Sequence, residues 1–282
     1  MVTRASIGTA AALIVAACAP TVNLLNPTTP KFAGDFAAPA PADSASAAAP
    51  LRVVTFNIKL ADRIALAIDV LRSSALRDAD IISLQEIDEI GVQQIARALH
   101  LNYIYYPGTI HPTRHRYFGP AVLTRWPIVE TRKLILPHEG MGRHQRRNAT
   151  AATVNVRGAC VRVYAVHLET QFRASARARE DQVDTILADA ATTSCPVVVA
   201  GDFNSWGIGR YFERKGYGWP TRQVGKTIAF FSWDHIFVRG LDLPDSAGAG
   251  QLEEVLGASD HHPVWATVVL PGHPGAMASA SR

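Results

Sequence analysis

The chain has 282 residues, 48% of them hydrophobic and 18% charged. That balance excludes a chain too small or too polar to close a core, and fits one globular domain with extensions. The formal net charge of +4 names no partner by itself.

Residues 1–17 read as an export signal. A single early Arg4 precedes a run of small and aliphatic residues too short to span a bilayer. The run closes on Cys18 in "VAAC", residues 15–18, which resembles a bacterial lipobox in which Cys18 would become the lipidated first residue. Cleavage near "ACA" as an ordinary signal peptide is the alternative. Both readings place the mature protein outside the cytoplasm, in the cell envelope as a membrane-anchored lipoprotein or secreted. Residues 18–50 are rich in Ala, Pro, Ser and Thr without apolar periodicity, and predict a flexible tether holding a domain away from a membrane.

From 51 to 270 the pattern alternates. "LRVVTFNI" predicts a strand, and "RIALAIDVLRSSAL", with Ile64, Ile68 and Leu71 at helical spacing, a helix. "DIISLQEI" reads as a buried strand and "GVQQIARALH" as a second helix. "GPAVLTRWPIVETRKLIL" predicts two β segments bent at Pro127. "NATAATVNVRG" and "CVRVYAVHLE" predict a hairpin around Arg157 and Gly158. "SARAREDQVDTILADAA" is helical, "CPVVVAGDFN" a buried strand, and "SWDHIFVRG" and "HPVWATVVL" close the domain. The fold class is therefore α/β, with sheets covered by helices. Residues 271–282 read as a flexible tail.

Several apolar strands end on groups able to bind metal or move protons: Asn57, Glu86, His167, Asp202 and Asn204. Taken singly, each has an ordinary explanation as a turn residue, a cap or a buried histidine. Together, at the strand ends where α/β sheets place ligands, they point to one site. Near the C-terminus "SDHHPV" adds Asp260 and His261. Between His111 and Arg147, eight Lys or Arg face two acids, a local excess that suits an anionic substrate or a solvated basic surface.

The ordered set "TFNI", "LQEI", "GPAVLTRWPI", "AVHLE", "AGDFN", "WDHIFV" and "SDHHPV" resembles the endonuclease/exonuclease/phosphatase superfamily, the DNase I-like metal-dependent phosphohydrolases. The resemblance implies a four-layer α/β/β/α sandwich over 51–270 and metal-dependent hydrolysis of phosphoesters. It implies Asn57, Glu86 and Asp260 as metal ligands for Mg²⁺, or Mn²⁺ or Ca²⁺, since hard oxygen donors select such ions. His167, Asp202, Asn204, Asp234 and His261 are the implied catalytic groups, with Asp234 behind His261; Asp202 and His261 both remain candidates for the base. Arg179 and Gln182 match an R-x-x-Q pattern of supporting residues, and Arg116 and Arg147 are candidates for binding substrate. Two departures stand out: Lys59 where abasic-site endonucleases carry an acid, and His235 where a tyrosine is usual, here expected to pack or hydrogen-bond in its place.

Cys160 lies seven residues before His167, and Cys195 seven before Asp202. Were those strands parallel neighbours in register, the two sulfurs would start side by side, so a disulfide is expected. The segment between Asn204 and Asp234 is short, which favours small phosphoesters or lipid headgroups over long duplex DNA. Trp206, Trp219 and "AFFSW" are expected to pack in the core, with an apolar rim for lipid as the other reading. A secreted nuclease using the basic stretch, and a non-catalytic binding lipoprotein, are the competing functions. A monomer is expected.

Overall fold

The structure, a computed structural model, describes residues 21–38, 50–243 and 248–271. The expected signal at 1–17, Cys18 and the tail beyond Pro271 lie outside the described residues.

Two sheets face each other. The first runs, in hydrogen-bonded order, β1 (Val22–Asn23), β6 (Thr109–Ile110), β7 (Tyr117–Thr124), β4 (Ile81–Ile87), β3 (Leu51–Asn57), β14 (Val264–Val268) and β13 (Ala249–Gln251). β5 (Asn102–Tyr105) joins it beside β7 and carries β2 (Phe32–Gly34) at its outer edge. The second sheet runs β12 (Asp234–Arg239), β11 (Val197–Asp202), β10 (Ala159–His167), β9 (Arg146–Val156) and β8 (Ile128–Glu139).

Alternation along each strand splits the apolar residues into three cores. Val53 and Ile81 of the first sheet meet Val163, Ala165 and Ala200 of the second between the sheets. Their neighbours Val54 and Ile82 face outward onto α1 (Ile64–Leu71) and α2 (Glu89–Leu99). Tyr164 and Val199 face outward on the other side, under α3 (Ala176–Ala190) and α4 (Ile208–Arg214). Helix, sheet, sheet and helix stack as four layers, as the family resemblance implied. Side chains cap the starts of two helices: Asp88 accepts from Gly91 N at 2.7 Å and Ser175 from Ala178 N at 3.1 Å, each cap stabilising its helix by about 1 kcal/mol.

The β9–β10 hairpin turns on Arg157 and Gly158, both at positive φ (52° and 89°), as a two-residue turn of the primed type requires. β10 and β11 are parallel, with Arg162 opposite Val197 and His167 opposite Asp202. The same register continued two residues back sets Cys160 opposite Cys195, and their sulfurs are bonded, with the Cα atoms 5.4 Å apart.

The expected tether at 18–50 is corrected over its described part. Val22 and Asn23 pair with Ile110 and Thr109, and Phe32 to Gly34 with Tyr105 to Tyr103. The Phe32 ring sits 5.9 Å from Tyr105, and Phe36 6.1 Å from Tyr103 with Arg97 over its other face at 4.7 Å. Strands of two and three residues are too short to leave a periodic signal, so composition alone reads them as linker.

Candidate active site

One pole of the sandwich gathers the chemistry. β3 ends there on Asn57, β4 on Glu86 and Ile87, β10 on His167 and β11 on Asp202, while antiparallel β12 starts there with Asp234. In the second sheet His167, Asp202 and Asp234 stand side by side in register. Asn57 reaches across from the first sheet and donates from Nδ2 to Asp202 Oδ2 at 3.1 Å and to Glu86 Oε1 at 3.4 Å. Its own oxygen accepts from Lys59 N at 3.1 Å. Asn57 is thus a donor tying two carboxylates together, while its Oδ1, the atom expected to meet a metal, accepts from Lys59 N.

Glu86 sits at an irregularity of the β4–β7 ladder between Leu84 and Ile87, with φ of 59°. A glutamate gains nothing local from that left-handed conformation, so the surrounding structure must impose it. The imposed kink aims the carboxylate at the cluster, where Oε2 accepts from Leu60 N at 3.0 Å. Burial pushes the Glu86 carboxyl up, against the opposing pull of the His261 and Arg147 charges.

Asp202 is the centre. Its Oδ1 accepts from Asn204 N at 3.0 Å, and its Oδ2 lies 3.5 Å from His167 Nε2 and 3.8 Å from His261 Nε2. Burial, and then the neighbouring Asp234 charge, push it up to about 7. Asn204, at φ of 48°, donates from Nδ2 to Leu168 O at 3.2 Å.

The two imidazoles are held differently. His261 Nδ1 meets Asp234 Oδ2 at 2.8 Å. Burial alone would lower its pKa, but Asp234, Asp202 and Glu86 outweigh burial and raise it to about 10. His261 is a cation at neutral pH, donating from both nitrogens. His167 receives Arg147 Nη1 on its Nδ1 at 3.1 Å. A guanidinium has no acceptor to offer, so neutral His167 carries its proton on Nε2, facing Asp202. Burial, with the Arg147 and His261 charges, drives its pKa well down.

Three other residues singled out in the sequence are placed as follows. Asp260 is exposed and pairs with Lys59 Nζ at 3.1 Å, at the rim of the cluster. Arg116 is spent on Asp88 Oδ2 at 2.7 Å and Leu60 O at 3.1 Å. Arg147 is buried against Glu169, 3.2 Å away, and positions His167 from behind instead of meeting substrate. Trp206 and Phe230, expected in the core, are 73% and 82% exposed, whereas Trp233 is buried. His235 behaves as expected: it accepts from Trp219 Nε1 at 3.3 Å and sits 3.0 Å from Ser232 O.

Sequence reasoning missed Glu169, buried and fixed by Gln182 Oε1, which accepts from its N–H at 3.1 Å. "AVHLE" displayed it, two residues past His167 and so on the same face of an extended segment. Arg179 closes the far side by donating to Ala174 O at 2.8 Å, so both residues of the R-x-x-Q pattern are supports. Thr227 and Ser259 were also missed. Thr227 Oγ1 accepts from Trp233 N and Asp234 N at 3.0 and 3.2 Å, and Ser259 Oγ donates to Asn57 O at 2.7 Å.

A family model described as the Endonuclease/Exonuclease/phosphatase family matches residues 54–261, nearly the whole span that builds this pole. The chain belongs to the endonuclease/exonuclease/phosphatase family. Family members hydrolyse phosphoester bonds, and the two-sheet fold is shared with solved structures. An endonuclease/exonuclease/phosphatase from Beutenbergia cavernae DSM 12333 is 23% identical over 78% of this chain and 72% of that one, with a TM-score of 0.60. Sphingomyelinase C from Streptomyces griseocarneus is 18% identical over 78% and 99%, also at 0.60. The human Nocturnin catalytic domain with bound sulfate is 19% identical over 78% and 94%, at 0.59. No curated protein sequence matches the chain. At this pole the donors Asn57, His167 and His261 face a centre crowded with the carboxylates of Glu86, Asp202 and Asp234.

Proposed function

We propose that this chain is an exported hydrolase of phosphoester bonds that works with a divalent metal ion, and that Cys18 carries a lipid holding it to the envelope. The observation that carries the hydrolase reading is the convergence on Asp202 Oδ2 of Asn57 Nδ2, His167 Nε2 and His261 Nε2 from three separate elements. A water at that point meets one proton acceptor and, around it, donors spaced for phosphoryl oxygens.

The residues fit a hard cation. Glu86, Asp202 and Asp234 crowd one buried space, and burial raises the first two. Asp234 Oδ1 is buried with no hydrogen-bond partner, a position that costs free energy unless a cation or water answers it. Ligand atoms of Asp202, Asp234 and His261 lie within 4.8 Å of one another; Asp234 Oδ2 is taken by His261 Nδ1 while Oδ1 stays open to a cation, and Glu86, as the resemblance implies, adds a carboxylate with no imidazole partner. Glu86 is therefore the residue assigned to Mg²⁺, or Mn²⁺ or Ca²⁺, with Asp202 beside it. When bound, such an ion neutralises phosphate charge and stabilises a leaving oxygen.

The chain's own groups divide the proton work. Asp202, held by Asn57 and by Asn204 N, accepts the proton of the attacking water; with its pKa near working pH it is suited to that role. Asp234, Asp202 and Glu86 favour the charged form of His261, which donates from Nε2 to the phosphoryl or leaving oxygen, with Asp234 fixing its ring. His167 donates from Nε2 to a phosphoryl oxygen.

Small phosphoesters and lipid headgroups are favoured over duplex DNA. Of the eight cations between His111 and Arg147, Arg143 alone has no hydrogen-bond or ion-pair partner for its side chain among the described residues. Arg114, Arg125, Arg132 and Arg146, for example, are paired with Asp62, Asp80, Asp189 and Glu139. A stretch consumed internally leaves little for a run of backbone phosphates.

Bis-p-nitrophenyl phosphate, sphingomyelin, inositol phosphates and plasmid DNA, each with Mg²⁺, Mn²⁺, Ca²⁺ or EDTA, test the proposal. The expected result is turnover of one of the first three that EDTA abolishes, and a melting temperature that rises on adding the ion. Glu86→Gln should lose both the turnover and the rise. No cation-dependent turnover of any substrate by a folded chain would sink the enzyme reading.

A further inference from the structure

The pole that carries the active site is also where large apolar side chains reach solvent. Trp206, 73% exposed, stands two residues after Asn204, and Phe172, also 73% exposed, three after Glu169. Phe230, 82% exposed, precedes Asp234 by four residues, and Met141, 68% exposed, donates its N–H to Arg173 O beside Phe172. The same connections that deliver catalytic groups therefore end in aromatic or aliphatic tips.

Those tips are backed by structure. Trp206 lies 5.7 Å from the Phe231 ring, which stacks on buried Trp233 at 4.2 Å. The turn from Thr227 to Phe231 is closed by Thr227 N donating to Phe231 O at 2.7 Å, and Ile228 bridges to His261. Cations accompany the tips: Lys226 Nζ lies 5.8 Å from the Phe230 ring, and the Arg143 guanidinium lacks a partner among the described residues.

The chain also enters the fold at this pole. Thr21 N donates to Arg143 O at 2.8 Å, and Asn23 Nδ2 donates to His144 O at 2.7 Å while its Oδ1 accepts from Arg146 N at 2.8 Å. Arg147, next in sequence, holds His167. Cys18 is three residues before Thr21, a reach of about 11 Å at full extension.

We propose that this pole docks on a phospholipid bilayer containing anionic lipids, with Trp206, Phe230, Phe172 and Met141 entering the interface and Lys226 and Arg143 meeting lipid phosphates. The proposal rests on the reading of Cys18 as lipidated and of the site as a phosphoesterase, and it narrows the substrate to a headgroup of the membrane that holds the protein. Exposed aromatic tips beside cations match the chemistry of a bilayer interface. A lipidated Cys18 would keep the chain at the bilayer surface, and a second, apolar and basic contact there would set which face of the domain meets it.

The full chain with Cys18→Ser cannot be lipidated; since its apolar residues 1–17 can also enter a bilayer, the docking face is read from the difference between this chain and its variants. The chain is sedimented with phosphatidylcholine vesicles with and without phosphatidylglycerol, at low and high salt. The expected result is binding to the anionic vesicles, weakened by salt, and at least tenfold lower partitioning when Trp206→Ser and Phe230→Ser are added. Val129→Ser should leave binding unchanged: Val129 is 63% exposed but sits at the opposite pole, beside the Ile128–Val154 pair. Melting curves check that every variant is folded. No binding by the Cys18→Ser chain, equal binding by the Trp206/Phe230 variant, or an equal loss with Val129→Ser overturns the proposal. Turnover of soluble bis-p-nitrophenyl phosphate by the parent chain tests the enzyme reading separately: a chain that hydrolyses but does not dock loses only the docking, and one that docks but does not hydrolyse loses only the enzyme.

Discussion

Arg147 shows what a residue type conceals until its partners are known. In the sequence it is one of a crowd of cations, and a substrate-side role is the natural expectation. Buried against Glu169 and donating to His167 Nδ1, it instead decides which imidazole nitrogen keeps the proton. Arg147→Lys cannot span both partners, because an ammonium lacks the planar fork. We expect kcat to fall roughly tenfold to a hundredfold, a fraction of what losing an acid–base group costs, while the melting-temperature rise with divalent ion stays intact. An unchanged kcat would remove Arg147 from the site. Asp202, Asp234 and His261 were legible because their motifs are specific. The Lys59–Asp260 pair was not, because a linear motif does not show which carboxylate a nearby cation captures.

Elements were legible in proportion to their length and regularity. The helices at 64–71, 89–99 and 176–190 and the strands from β7 to β11 follow their periodic patterns. β1, β2 and β6 have two or three residues each and leave no pattern to find. The kink at Glu86 was equally hidden, since its positive φ is imposed from outside the strand. The parallel register of β10 and β11 was readable from matched spacings, and it makes a prediction of its own. Cys160 and Cys195 are 35 residues apart, and closing a loop of that size stabilises a fold by up to about 4 kcal/mol on the chain-entropy account. The double variant Cys160→Ser, Cys195→Ser should melt about 5–10 °C lower while keeping its turnover of a small phosphoester at 25 °C. Free thiols at both Cys160 and Cys195 in the denatured, unreduced parent would show instead that the bond does not form.

The whole molecule answers pH through its buried imidazoles. Burial lowers His235 to about 4, against about 6.5 in the unfolded chain. Between those values the unfolded chain binds a proton that the folded one refuses. The resulting stability is fully present above about pH 6.5 and is lost as pH falls towards 4, up to about 3 kcal/mol in all. His167, also lowered by burial, adds in the same direction. Asp202 and Glu86, raised by burial, act the other way over that range, so the test is a difference: His235→Tyr should gain melting temperature relative to the parent as pH falls from 6.5 to 4.5, and a constant difference would show that His235 carries none of the dependence. The four-layer arrangement was legible at this scale because the alternation of apolar residues sorts them into three cores, whereas the polarity of the molecule was not. Only the folded N-terminal strands reveal that the chain enters beside its own active site. The seven-residue spacing that pairs Cys160 with Cys195 at one end of β10 and β11 pairs His167 with Asp202 at the other. Sealing that bond and setting His167 opposite Asp202 therefore demand one and the same strand register, so the covalent link at one end guards the alignment of the catalytic pair at the other.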